Sequence, residues 1–245
     1  MSTTDENSRT VVLLHGYGVR GSFWRYLKPV LETRFDTVHT PDLEMSSLDT
    51  LITSTSSYCR ELAHRSGHRL ILVGHSLGGV LAALMAQELG HECVDRVVIV
   101  AAPYGKQHTS KLGTAVIRFL IRFRLIPDRL ARLRFFSNNS PAERQKALFA
   151  DAVPESAELQ NMLFAPVWFH TEKLHGPLSV PSLVIASEFD KVVPCAQTLE
   201  LAEVLRSQTR IFSAHEQVAH DDFAAAPELI QLTADIVYSF ANGTR

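Results

Sequence analysis

The sequence predicts an α/β protein: a mostly parallel sheet of about six strands, covered by helices on both faces and carrying a helical insertion. Three observations lead there. The strand-like runs are continuously apolar and β-branched rather than alternating, as in strands buried on both faces. Segments with helical spacing separate those runs along the chain. One interval, from Pro103 to Pro181, carries no strand signal for almost eighty residues, far more than an ordinary crossover needs.

The first run, Thr10 to Leu14, ends at His15-Gly16-Tyr17-Gly18, a tight loop relieved by glycine. Ser22 to Glu32 reads as one helix, with Ser22 as N-cap and Phe23, Leu27, Val30 and Leu31 on its apolar face. Phe35 to His39 is the second strand. Leu48, Leu51, Ile52, Tyr58, Cys59 and Leu62 give Ser47 to Arg65 a helical stripe. Leu70 to Val73 is the third strand, followed by Gly74-His75-Ser76-Leu77-Gly78-Gly79 and an Ala- and Leu-rich helix to Gln87. Arg96 to Ala102, Ser182 to Ser187 and Arg210 to Ala214 supply three further strands. Helices are expected over Val192 to Arg206 and from about Pro227 to Phe240. The long interval holds helical stretches near 111–125, 127–136, 141–150 and 156–164. It follows a strand's carboxyl end, where ligands bind in open α/β sheets, so it reads as a lid.

Composition excludes other classes. A chain of 245 residues with 46% hydrophobic and 20% charged residues is a foldable globular chain, not a disordered one. Cys59, Cys93 and Cys195 lack metal or redox spacing, so reduced, mostly structural thiols are expected. The polar, acidic start is unlike a secretory signal, and no apolar run reaches the ~20 residues of a membrane span. A cytoplasmic protein is expected.

The chemistry centres on Ser76. In a Gly-x-Ser-x-Gly turn between a buried strand and a helix, the glycines leave room for a strained backbone, which lifts the hydroxyl to the sheet's carboxyl edge. By composition the three fixed positions recur by chance in about one chain in ten of this length, so the flanking strand and helix carry much of the weight. Serine needs a base, and the base an orienting acid. Asp190 follows the fifth strand within three residues, with Glu188 as its rival. His220 lies after the last strand; His15, His75 and especially His215 compete with it. The order Ser, Asp, His at successive strand ends favours Ser76, Asp190 and His220. Developing oxyanion charge needs fixed donors. The Leu77 N–H at a helix N-terminus is one, and the Tyr17 N–H in the glycine loop is the other.

These motifs resemble the α/β-hydrolase superfamily over roughly 10–102 and 181–240, most closely the esterase, lipase and thioesterase branch with a helical lid. The resemblance implies a core of residues 1–102 and 181–245, a cap of residues 103–180, the triad roles above, and no cofactor or metal. Two features depart from it: the family's two leading antiparallel strands are missing, leaving a reduced core. Where many relatives have a Pro-Gly-His-Gly turn, this chain has Glu44-Met45-Ser46-Ser47.

From Lys106 to Arg134 eight basic residues face a single acid, Asp128, interleaved with Val116, Ile117, Phe119, Leu120, Ile121, Phe123 and other apolar residues. Such a segment suits an anionic lipid surface or an anionic substrate such as an acyl carrier; packing on the core with arginines reaching to water explains it equally. The expected activity is hydrolysis of a carboxylic ester with an apolar acyl group. The partner is then a small or lipid-like ester and not a nucleic acid. A thioesterase, a C–C bond hydrolase or lyase, and a non-catalytic ligand-binding module are the alternatives.

Overall fold

The computed structural model describes residues 9–106, 128–162 and 165–243. Six strands form one sheet in the order β2-β1-β3-β4-β5-β6, and every strand pair is parallel. They are β1 (Thr10–Leu14), β2 (Thr37–His39), β3 (Leu70–His75), β4 (Val94–Val100), β5 (Ser182–Ser187) and β6 (Gln208–Phe212).

Alternation along each buried strand divides the core in two. Val12, Leu14, Leu72, Ile99 and Val184 point to one face, where α2 (Leu48–Ser66), α3 (Leu77–Cys93) and α7 (Cys195–Leu205) cover them. Val11, Leu13, Ile71, Val73, Val98 and Ile185 point to the other. There they meet Phe23, Trp24, Leu27, the short α8 (Asp222–Ala225) and α9 (Pro227–Ala241). The two aliphatic sets read as unbroken runs in sequence because both faces are covered.

Several expected boundaries differ, among them that of β4, expected over Arg96 to Ala102 and found at Val94–Val100. Ser22 to Glu32 is not one helix but a 3₁₀ turn, Gly21–Trp24, followed by the short α1, Lys28–Leu31. Pro29 accounts for the break: it sits in the first turn of α1, where its missing N–H costs nothing, whereas inside one continuous helix its ring would clash with the carbonyl four residues back. α7 starts only after Pro194, and β6 lies two residues earlier than its apolar content suggests, because four of its five residues are exposed at the sheet edge.

Within the β4–β5 connection the described helices are α4 (Asp128–Phe135), α5 (Ala142–Ala150) and α6 (Ala157–Met162). The expected helix near 111–125 lies outside the described residues, as do four of the eight basic residues from Lys106 to Arg134. Lys106 and Val167 form an antiparallel bridge, and the His170 Nε2 donates to the Pro103 carbonyl at 2.7 Å. These contacts join the outgoing and returning chain at a neck just above the sheet.

β3, α3 and β1 cross with their backbones in close approach. A Cβ added at Gly74 would lie 2.0 Å from the Gly78 carbonyl oxygen, and one at Gly78 would lie 2.1 Å from that of Leu14. Both obstacles are backbone, so neither can swing aside. Gly78→Ala is expected to destabilise by about 3 kcal/mol, lowering Tm by roughly 6–12 °C for a chain of this size. A calorimetric Tm within a degree of the parent contradicts this.

Candidate active site

Ser76 joins β3 to α3 with φ 54° and ψ −121°, a conformation that L-residues rarely adopt. Strain of this kind costs on the order of 1–3 kcal/mol and persists only where the surroundings impose it. Here they do. The Ser76 N–H donates to the Val100 carbonyl at 2.9 Å, keeping it in the sheet, while its own carbonyl accepts from Gly79 and Val80 and so starts the helix. The chain must turn within one residue. Leu77 is therefore the first residue of α3, and its N–H has no acceptor within the helix.

The glycine loop after β1 lies directly on this turn. A Cβ at Gly16 would stand 3.2 Å from the Ser76 Cβ and 3.4 Å from the His75 carbonyl oxygen, so the peptide leading to Tyr17 runs beside the serine. His15, fully buried, fixes that loop. Its Nε2 accepts from the Leu43 N–H at 3.0 Å, which leaves the proton on Nδ1 to donate to the Gly16 carbonyl at 2.9 Å. Burial lowers its pKa, in keeping with a neutral ring. The connection between β4 and β5 reaches the same loop. The Glu155 Oε1 accepts from the Gly18 N–H at 2.9 Å, and the Val153 N–H donates to the Gly18 carbonyl at 2.9 Å. Tyr17 has its phenol pKa pushed up to about 12, by burial and then by the Glu155 carboxylate.

Asp190 and His220 meet at the carboxyl end of the sheet. The His220 Nδ1 donates to the Asp190 Oδ2 at 2.7 Å, and both side chains are almost wholly buried. The other Asp190 oxygen accepts from the Val192 and Val193 N–H groups at 2.7 and 2.9 Å, which freezes the carboxylate. Burial is the largest influence on each group and opposes its charge. It is outweighed in both. The Asp190 charge and hydrogen bond hold His220 above its ordinary pKa, and the His220 cation with the N–H donors holds Asp190 below its own.

The His220 ring lies 4.6 Å, centroid to centroid, from that of His75, the residue preceding Ser76. This contact sets the dyad beside the serine turn. His75 itself donates from Nε2 to the His220 carbonyl at 2.8 Å and stacks on Phe23. Burial, then the His220 charge, depresses its pKa to about 3, so it is a neutral brace. Ligand atoms of His75, His220 and Asp221 fall within 4.8 Å of one another. Yet the His75 Nε2 proton is committed to a carbonyl and the His220 Nδ1 proton to Asp190, so the set is not a cation cage.

The rivals fall elsewhere. Glu188 accepts from the Ala214 N–H at 2.9 Å, and His215 is exposed on the short turn Ala214–Glu216. Sequence reasoning missed two other acids. Asp222, fully buried, accepts from the Ala219 N–H, the Ser137 N–H and the Ser140 hydroxyl. Asp221 has its pKa pushed up to about 7 by burial, with Asp190 and Asp222 adding to the rise and His220 opposing it. The adjacent acids Asp221-Asp222 were visible as letters, but nothing local separates a buried carboxylate from a solvated one.

In chemical terms, the site offers a strained serine at a helix N-terminus, a glycine loop with main-chain N–H groups, and a buried imidazole–carboxylate pair. Such a combination is chemically able to move a proton to and from a hydroxyl next to a helix N-terminus that favours an anion. The comparisons agree with the fold. A pimeloyl-[acyl-carrier protein] methyl ester esterase of Photobacterium profundum is 28% identical over 254 residues, covering 96% of each chain. The same-named protein of Sodalis glossinidius is 32% identical over 103 residues, which is 41% of this chain and 40% of that protein. Among solved structures, an esterase from Exiguobacterium antarcticum superposes with a TM-score of 0.76 at 17% identity, covering 96% of this chain and 92% of the other. The sequence model described as "Alpha/beta hydrolase family" matches residues 11–229, most of the chain. The chain belongs to the alpha/beta hydrolase family.

Proposed function

We propose that this protein hydrolyses a carboxylic ester through an acyl-enzyme, with Ser76 as nucleophile, His220 as general base and Asp190 as its orienting acid. The observation that carries the reading is the buried 2.7 Å hydrogen bond from the His220 Nδ1 to Asp190, set beside a serine with positive φ. His220 takes the Ser76 proton as the oxygen attacks the ester carbonyl, and the new oxyanion is met by the Leu77 and Tyr17 N–H groups. His220 returns the proton to the departing alcohol. It then takes one from water, which attacks the acyl-enzyme carbonyl, and hands it to the Ser76 oxygen as the acyl bond breaks and the acid leaves.

The substrate side rests on three supports. Leu159 and Met162 of α6 join the apolar cluster that contains Leu77 and Tyr104, with Tyr17, Met45 and Trp168 packed against it. An apolar acyl chain fits such a wall. The chain's relatives are named for a methyl ester of an acyl group held on an acyl-carrier protein. A carrier is an acidic partner in keeping with eight basic residues and one acid between Lys106 and Arg134. The ester is therefore that of an apolar chain presented on a carrier protein, and residues 103–180 form the cap that receives it.

A substrate panel tests this. It comprises methyl and p-nitrophenyl esters of increasing chain length, the matching acyl thioesters, and a methyl ester carried on acyl-carrier protein. Ester cleavage with kcat/KM rising along the chain, and higher again on the carrier, is expected. Preferential thioester cleavage makes the protein a thioesterase instead. Absence of any turnover, with no labelling by a fluorophosphonate, leaves only a binding module. A lipid-surface role for the basic segment predicts activity that rises on anionic vesicles and not on carrier; among the described residues no helix is long and apolar enough to cross a membrane.

A further inference from the structure

His220 hangs in a loop, and a base held only by its loop would wander. Its two flanking peptide groups are both tied down. The Ala219 N–H donates to the Asp222 Oδ2 at 2.8 Å, and the Asp221 N–H donates to the Phe135 carbonyl at 2.8 Å. The other Asp222 oxygen accepts from the Ser140 hydroxyl at 2.6 Å and the Ser137 N–H at 3.1 Å. Phe135 lays its ring 6.2 Å from that of His220, in an edge contact. Asn139 adds Nδ2 bonds to the Glu216 and Gln217 carbonyls at 3.0 and 3.2 Å, upstream in the same loop. Apart from Asp222, which opens the short helix directly after His220, these partners, from Phe135 to Ser140, lie in the β4–β5 connection.

We infer that the segment Phe135–Ser140 is the seat against which His220 is positioned, and that the buried carboxylate of Asp222 is the link, making Asp222 and Ser140 positioning residues for the base. The inference rests on the reading of His220 as that base. The chemistry suits the task. A carboxylate shut away from water is retained only if its lone pairs are filled, and here three donors from two separate stretches of chain fill them. The carboxylate therefore ties the two stretches together: if either moves away, a buried charge is left without donors. An amide cannot replace it. The side chain introduced by Asp222→Asn would present its NH₂ either to the Ala219 N–H or to the Ser137 N–H and Ser140 pair, so one end of the link is lost whichever way it turns. A direct consequence is that displacement of this segment and misplacement of the imidazole occur together.

The test compares Asp222→Asn, Ser140→Ala and Ser140→Thr with the parent, by steady-state hydrolysis of p-nitrophenyl butyrate and by the rate of fluorophosphonate labelling. Ser140→Ala leaves the carboxylate's charge in place, so it isolates positioning from electrostatics. Asp222→Asn is expected to lower kcat by up to about a hundredfold and Ser140→Ala by about tenfold, on the scale of an ångström's misplacement of a reacting group. KM should stay within about twofold, the labelling rate should fall with kcat, and Ser140→Thr should restore both by returning the hydroxyl. If Asp222→Asn does not fold, the two Ser140 variants decide alone. A kcat near the parent's in Ser140→Ala, or a loss confined to KM, overturns the inference while leaving the triad standing, provided that His220→Ala is inactive. A fully active His220→Ala instead overturns the triad reading.

Discussion

Ser76→Ala is expected to eliminate labelling by fluorophosphonates and to lower ester turnover by about 10⁶-fold, since the members of a serine–histidine–acid unit work only together. Residual hydrolysis above the background in water comes from the remaining N–H donors and from binding. The fold should survive, because the loss is one hydroxyl and the positive φ at this position is imposed by the Val100 carbonyl, the glycine loop and the start of α3, none of which changes. The measurement is an intact-mass labelling assay beside a progress curve on p-nitrophenyl butyrate. A variant that retains even a tenth of the parent's turnover places the nucleophile elsewhere.

Asp190→Asn should cost about 10⁴-fold in kcat, the scale found where the acid of such a triad is replaced by its amide. The asparagine keeps the shape and offers its NH₂ where His220 needs an acceptor, so the imidazole turns or adopts the wrong tautomer. The pH profile supplies an independent sign. In the parent the Asp190 charge and hydrogen bond hold His220 above its ordinary pKa, so activity, which needs the neutral ring, falls away on the acid side as His220 protonates. With the carboxylate gone, burial prevails and the pKa drops; the acid limb of kcat/KM should shift to lower pH while the plateau collapses. An unchanged rate assigns the acid role to another carboxylate. Glu188 is ill placed for it, since it serves the Ala214 N–H.

The sheet was legible because its strands are buried on both faces, and doubly buried strands announce themselves as unbroken runs such as Leu70 to Val73 and Ser182 to Ser187. The edge strand β6 was placed two residues late for the converse reason: edge positions carry no apolar demand, and Gln208 and Thr209 look like loop. Ser76, Asp190 and His220 could be proposed from sequence because a parallel sheet brings successive strand ends together, so chain order translates into proximity. His15 and His75 compete as letters, yet the structure commits each to backbone carbonyls. Asp222 and Glu155 stayed hidden because their partners, Ser140 and Gly18, lie 82 and 137 residues away along the chain. No periodicity or spacing encodes such a pairing.

The neck at Lys106 and Val167 bears on how such a chain diversifies. β4 and β5 are neighbours in the sheet, paired from Val97 with Ser182 onward, so the excursion between them leaves and re-enters at one place. Closing a longer or shorter excursion changes the entropic cost only logarithmically, by about 0.6 kcal/mol per doubling, so lineages are free to vary this segment at little thermodynamic expense. A transplanted segment from a cousin would dock on the neck and leave the strands undisturbed. Because residues 135–140 also hold the His220 loop and Val153 and Glu155 hold the glycine loop, such a graft would, on the proposed roles of the cap and of His220, alter the reaction rate together with the substrate preference. Selection on what the enzyme accepts and selection on how fast it turns over then act on the same short piece of chain.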